Sequence, residues 1–169
     1  WAIQAESKPS VFVLPKEKLN STELTAEDWI TPTIKPDGSS LTTNWRQMFL
    51  ITKRHNIKVY SAGSWASRMI FFNDNGNPAG NIQYVEHRYI NTLDQDNKNY
   101  TWTDIFCFTE DLNGKVWVGS SNGVTEWDLT KVFDTDFRVN RIKVPRNDGT
   151  NNADYLLDGL QVNAIAVDG

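Results

Sequence analysis

The chain has 169 residues, 39% of them hydrophobic, and a net charge of −4; this is enough apolar material for a core, and no apolar run approaches the roughly 20 residues of a membrane helix. A pI near 5.1 and a mean hydropathy of −0.51 argue against capture of nucleic acid or an anionic membrane, so no nucleic-acid partner and no membrane insertion are expected. One cysteine, Cys107, and two histidines, His55 and His87, exclude an internal disulfide framework and a Cys/His zinc cluster.

Short runs rich in Trp, Phe and Tyr read as strands. The Asn, Asp, Gly, Ser and Thr between them read as turns. Residues 1–44 open with strands at Trp1-Ala-Ile-Gln4 and Val11-Phe-Val-Leu14. A polar insert, Lys16–Thr43, follows; within it Thr25-Ala-Glu-Asp28 has the spacing of a capping box, and Trp29–Ile34 is a further strand. Residues 45–101 carry a strand after Trp45, one at Tyr60, one at Ile70–Phe72 and one at Ile82–Tyr89, then a polar link, Asn91–Tyr100. Residues 102–158 carry strands at Ile105–Glu110, Val116–Ser120, Val124–Leu129 and Phe137–Val144. Asp111-Leu-Asn-Gly114 and Ser121-Asn-Gly123 supply the turns between them. Asn152–Leu157 reads as a helical turn, and Val162–Val167 as the first strand of another unit. Both ends fall within expected strands, which suggests an excerpt of a longer protein.

A repeat underlies this order. Sliding the chain by 57 positions lays Trp45–Tyr60 over Trp102–Trp117 without gaps. Identities fall at Trp45/Trp102, Phe49/Phe106, Thr52/Thr109, Asn56/Asn113, Lys58/Lys115 and Val59/Val116, and the same shift puts Asp111 over Asp168. Four short antiparallel strands per repeat is the pattern of a β-propeller blade. The expected fold is therefore all-β: a partial propeller of about three four-stranded blades. Three blades are too few to close a ring, so the rest of a longer chain or self-association must cover the ends.

Asp111-Leu-Asn-Gly-Lys-Val-Trp-Val-Gly119, followed by Ser120-Ser-Asn-Gly-Val124, resembles the two-component regulator propeller repeat. Trp45, Trp102, Asp111, Gly114, Trp117, Gly119, Gly123 and Asp168 are the positions of that motif here; Tyr60-Ser-Ala-Gly63 is a degenerate copy. The resemblance implies an extracytoplasmic propeller of Bacteroidetes, periplasmic or at the cell surface. Such propellers serve as sensor regions of hybrid two-component regulators, and similar ones occur in the type IX secretion and gliding machinery. Residues 144–169 are most similar to the latter. The family brings no catalytic residues.

The residues themselves offer few sites. Asp111 and Asp168 recur at one fold position, which favours a turn-capping role. Asp94-Gln-Asp-Asn-Lys-Asn99 fails the EF-hand pattern, having Asn99 where Gly is needed and Ile105 where Glu is needed. Asn73–Asn77 is a plain turn or a looser oxygen site, the turn being the commoner use. No metal and no cofactor are expected. Glu126 and Asp128 lie two apart on one strand face, as paired carboxylates of a glycosidase could, but nothing nearby gives a reason for a raised pKa. Cys107 reads as a small buried hydrophobe. Trp29 and Trp65 do not repeat between units and are the better candidates for stacking on a sugar or partner. Lys53, Arg54 and Arg68 form a basic group near Trp65 that would suit an anionic glycan. The expectation is a non-enzymatic module binding a glycan or an envelope protein. The alternatives are a glycan-active lyase or glycosidase, which requires convergent carboxylates, His or Tyr, and a purely structural scaffold.

Overall fold

The computed structural model describes residues 1–4, 10–41, 47–62 and 68–168; Trp45, Trp65 and Gly169 lie outside them. The fold is all-β, with two 3₁₀ turns, Lys16–Lys18 and Ala26–Asp28, as its only described helical segments. The strands are β1 (Ala2–Ile3), β2 (Val11–Phe12), β3 (Gln47–Ile51), β4 (Lys58–Ala62), β5 (Arg68–Asn73), β6 (Gln83–Arg88), β7 (Ile105–Glu110), β8 (Val116–Ser120), β9 (Gly123–Trp127), β10 (Asn140–Arg141), β11 (Lys143–Pro145) and β12 (Ala153–Tyr155). β3-β4-β5-β6 and β7-β8-β9-β10 are two four-stranded antiparallel meanders, here the first and second sheets; β1-β2 and β11-β12 are two-stranded.

The first sheet is buried on both faces, which accounts for the unbroken apolar run Met69–Phe72 in β5. Val59, Met69 and Phe71 pack toward Val116, Val118 and Trp127 of the second sheet. On the opposite face Tyr60, Ile70 and Phe72 pack on Val11, Ile34 and Leu41, with Trp1 and Ile3 against them. Trp127 is fully buried at the junction of the sheets. Its ring stacks on Phe71 at 5.3 Å, and lies 5.4 Å from both His87 and Phe137 and 6.3 Å from Trp102. The indole N–H donates to Thr125 Oγ1 at 2.9 Å, so the polar edge is satisfied in the dry interior.

The repeat is real but not gap-free. Ile51 pairs with Lys58 across the first turn, and Glu110 pairs with Val116 across the second. The first turn, residues 52–57, is thus one residue longer than the second, residues 111–115. Asn56 (φ 53°) occupies the left-handed position that Gly114 (φ 81°) takes in the second sheet. Counted from those two residues, Trp117 corresponds to Val59, not to Tyr60. In a strand one residue exchanges the two faces, so the correction matters. Val59 opposes Phe71, and Trp117 opposes Glu126. The Val59–Phe71 face and the Trp117–Glu126 face are therefore equivalent. The two sheets stack in one sense: the Val59 face of the first lies on the Val118–Trp127 face of the second.

The turns are also joined. Glu110 accepts from the Lys53 and Arg54 amides at 2.5 and 3.0 Å, and the Arg54 guanidinium donates to the Leu112 carbonyl at 3.0 Å. A Cβ on Gly114 would sit 2.7 Å from both Arg54 Cδ and His55 Nε2. Glycine at this position thus satisfies both the backbone angle and the close approach of the neighbouring turn.

Other expectations need correction. Of Trp29–Ile34 only Ile30 pairs, bridging Val13; Pro32 has no amide to extend a ladder. Phe137–Val144 is not one strand. β10 pairs with β9, the chain breaks at Ile142, and β11 then pairs with β12. Asn152–Leu157, expected as a helical turn, contains β12, held across the hairpin by the Arg146–Asp154 ion pair. Val162–Val167 forms no strand among the described residues; the Val162 amide donates to the Ser120 carbonyl, and the Val162 carbonyl accepts from the Cys107 thiol at 3.6 Å. The Thr25 box does form, its amide donating to Asp28 Oδ2 at 2.7 Å.

The Tyr60 face also covers an ion pair. Lys58 and Asp74 are 1% and 4% exposed, with Nζ and Oδ1 2.5 Å apart. Nζ also donates to the Asn56 carbonyl and side chain at 2.9 and 3.2 Å, and the Trp1 ring lies 5.1 Å from it. Every ammonium proton thus has an acceptor, the condition for burying such a charge.

Trp127→Ala is expected to cost about 3–5 kcal/mol through the cavity it leaves; a thermal melt within about 1 kcal/mol of the parent would contradict the packing described. Lys58→Met alone strands a buried carboxylate and should cost about 3–5 kcal/mol. Adding Asp74→Leu should recover most of that loss in chemical denaturation. A double variant as weak as the single one would show that the pair, not its uncompensated half, carries the stability.

Candidate functional site

The polar rim of the second sheet forms an open cleft of about 530 Å³. Its floor is β9 and β10, where Glu126 opposes Asn140. One wall is the loop of residues 128–137, which supplies Lys131, Asp134 and Asp136. Glu126 Oε1 accepts from Lys115 Nζ at 2.7 Å and from Asn140 Nδ2 at 3.3 Å. The hydrogen bond and charge of Glu126 raise the Lys115 pKa. Asp128 Oδ1 accepts from the Thr130 hydroxyl and amide at 2.6 and 3.0 Å. Those donors hold its carboxyl below the ordinary range, opposite to the shift a proton donor to a leaving group requires. The two carboxylates share the cleft as expected from their spacing. Each is engaged by a cation or by hydrogen-bond donors. The arrangement suits recognition of polar, hydroxyl-rich or mixed-charge groups better than proton transfer.

His87 is not part of the cleft surface. Its ring sits between the sheets, edge-on to Phe71 and Trp127 at 5.8 and 5.4 Å and 4.8 Å from Phe137. Nε2 bonds the Val132 carbonyl at 2.9 Å. Burial lowers its pKa, with the Val132 carbonyl opposing the shift.

Of the expected stacking and basic residues, Trp65 lies outside the described residues, and Trp29, Arg54 and Arg68 lie apart. Trp29 lines a shallow apolar depression of about 450 Å³ with Ala2, Ile3 and Phe12, on the outer side of β1-β2. Arg54 sits at the β3–β4 turn. Arg68 begins β5 at the far end of the same sheet, opposite Ala62 and Arg88, about 15 Å away along five residues of strand. There Arg68 and Arg88 both pair with Glu86, at 3.4 and 2.6 Å. The basic group expected from the sequence is therefore split between two ends.

Asp111 caps its own turn. Oδ1 accepts the Asn113 and Lys115 amides at 2.8 and 3.0 Å, and Oδ2 accepts the Trp117 indole N–H at 2.9 Å. Trp117 is half-buried on the outward face of the second sheet. Beside it, a Cβ on Gly119 would meet Cys107 Sγ at 2.5 Å and Val162 at 2.9 Å. The half-buried Cys107 thiol has its pKa raised by burial. Asp168 is exposed. In residues 94–99, Asp94 Oδ1 accepts the Asp96 and Lys98 amides, both at 2.9 Å. The Arg141 guanidinium stands 3.9 Å from Oδ2, a cation where a metal reading would want an empty place. Asp74, in the other candidate loop, is committed to Lys58. Among the described residues no three His, Cys, Asp or Glu side chains are placed to share a metal ion.

Sequence reasoning missed Lys115 and Asn140 as partners of Glu126, and Arg141, stacked 3.8 Å over the Tyr155 ring and paired with Asp158. The Lys115–Glu126 contact was readable from adjacent strands across a short turn. The Arg141 contacts depend on the β11-β12 hairpin, which the sequence did not announce.

No protein-family model and no curated protein matches the chain. One solved structure does: PorZ, described as an essential bacterial surface component of the type-IX secretion system of the human oral-microbiomic Porphyromonas gingivalis. The similarity has a TM-score of 0.58 at 20% identity and covers 80% of this chain but 20% of that one. At that identity the likeness is one of fold, and the chain spans about a fifth of the protein it matches.

Proposed function

We propose that the chain is an arc of a β-propeller, and that it serves as a non-enzymatic, extracytoplasmic binding module within a secretion-associated surface protein. The observation that carries this reading is the stacking sense of the sheets. Equivalent faces point the same way, so the array can be extended by further sheets at the Trp117 face and at the Ala2–Phe12 face. Rings of radially repeated four-stranded sheets are built in this way, whereas a two-sheet sandwich would bring equivalent faces together. The fold likeness to PorZ supports the secretion association, and the surface location of PorZ supports an extracytoplasmic one. No helix among the described residues is long and apolar enough to cross a membrane.

The binding role rests on the cleft beside β10. On its floor Glu126 is paired with Lys115 and Asp128 is held by Thr130, while Lys131, Asp134 and Asp136 line its wall. A glycan or an envelope protein presenting hydroxyls and mixed charges fits this lining. A sensor role in signal transduction has the same structural requirements and is distinguished by the partner. The protein is expected to release neither reducing ends nor unsaturated uronates from neutral or acidic polysaccharides. Turnover that disappears in Glu126→Gln or Asp128→Asn would overturn the non-enzymatic reading.

A further inference from the structure

The wall of the cleft is fastened from behind by one side chain of the other sheet. The loop of residues 128–137 carries charged residues outward, and inward it buries Leu129, Val132 and Phe137. Its turns are local, with Lys131, Asp134 and Phe137 amides bonding the carbonyls of Asp128, Lys131 and Asp134. His87, on β6 of the first sheet, reaches across to hold it: the imidazole bonds the Val132 carbonyl at 2.9 Å and packs on Phe137 at 4.8 Å. We propose that His87 is an acid-sensitive latch that holds the loop of residues 128–137, and with it the cleft wall, against the first sheet.

The surroundings leave an imidazolium poorly served. The ring is enclosed by Phe71, Trp127 and Phe137, and His87 has one hydrogen-bond partner among the described residues. Because that partner is a carbonyl, Nε2 carries the proton in the neutral ring and Nδ1 is the site that titrates. The charged groups on the elements around it are occupied elsewhere or face water. On β5 and β6, Arg68, Glu86 and Arg88 pair with one another on the face opposite His87. On β9 and just beyond it, Glu126 is held by Lys115 and Asp128 by Thr130. In the loop, Lys131, Asp134 and Asp136 are exposed, and Arg138 donates to Asn97 and to the Asp136 and Phe137 carbonyls. No carboxylate therefore offsets the cost of charging the ring in this place.

The direction follows from linkage. A released His87 takes up a proton near its ordinary value of about 6.5; the latched ring does so only at lower pH. Release is thus favoured as the pH falls below about 6.5, by up to about tenfold per pH unit, until the latched ring also titrates. The latch rests on contacts between the two sheets and is independent of the propeller reading and of the ligand's identity.

Hydrogen exchange of the full chain followed by mass spectrometry tests it, with rates corrected for the intrinsic effect of pH. Peptides covering residues 128–138 should lose up to about fivefold in protection between pH 6.5 and 5.5, while the Val116–Ser120 strand keeps its own. In His87→Gln, which retains an N–H donor and cannot titrate, the profile of the loop should be flat. A flat profile in the parent protein, or a loss that persists in the variant, would overturn the latch. So would an equal loss in β8, which would mean general loosening of the fold. If the variant does not fold, the imidazole resonances of His87 in the parent protein decide the matter. They must titrate below 6.5 and in step with loop exchange; titration at or above 6.5 contradicts the proposal.

Discussion

A four-stranded sheet with large side chains on both faces cannot stand alone in water, and that constraint organises this molecule. The first sheet buries Phe71 on one face and Phe72 on the other, so it needs a neighbour on each side. On one side the neighbour is the second sheet, through the Trp127 ring stacked on Phe71. On the other it is the N-terminal segment, through Trp1, which lies 5.6 Å from Phe72 and 6.1 Å from Phe49. Ring contacts of this kind combine a large apolar area with defined geometry, and they fix which face of each sheet meets which. The turn contacts of Glu110, Arg54 and Gly114 follow from the same stacking. They sit where it brings two turns together, and they set the sheets' relative position along the strand direction.

The cleft depends on this arrangement at one remove. Its floor belongs to the second sheet, but its loop wall is anchored at the sheet junction by Val132, Phe137 and His87. The chemistry at the surface is mild: ion pairs, Asx-type turns and amide contacts. The Lys58–Asp74 pair is the most deeply buried ion pair among the described residues. It lies under Trp1 on the far side of the first sheet, where it is fully hydrogen-bonded and plays a structural part.

Much of the third unit was legible because its local chemistry is unambiguous. The alternation of Val116, Trp117 and Val118 and the Asp111–Gly114 turn set β7 and β8 at their expected bounds, and β9 began one residue early. The first sheet was legible as four strands but not in register. Asn56 does in its turn what Gly114 does in the other, and a left-handed asparagine leaves a weaker trace than a glycine. The gap-free match therefore paired Tyr60 with Trp117 and exchanged the faces. The N-terminal strand at Trp29–Ile34, the continuous strand at Phe137–Val144 and the last strand failed for one shared reason. Strand propensity is realised only with a partner, and these segments either carry Pro32, change partners at Ile142, or meet no ladder among the described residues. The basic group expected around Arg54 and Arg68 failed because closeness in sequence across a hairpin says little about which end of the sheet a residue occupies.

The central claim is that the Trp117 face of the second sheet is the counterpart of the Val59–Phe71 face of the first and takes another sheet in the same way. The most direct test is the cost of Trp117→Ala, measured by chemical denaturation in this chain and in a longer one that continues into the next unit. In the 169-residue chain the half-buried ring should be worth about 1 kcal/mol, and in the longer chain about 3–5 kcal/mol, the range for an aromatic ring in a core. Equal, small costs in both would contradict the account, because they would leave the Trp117 face facing water however far the chain extends.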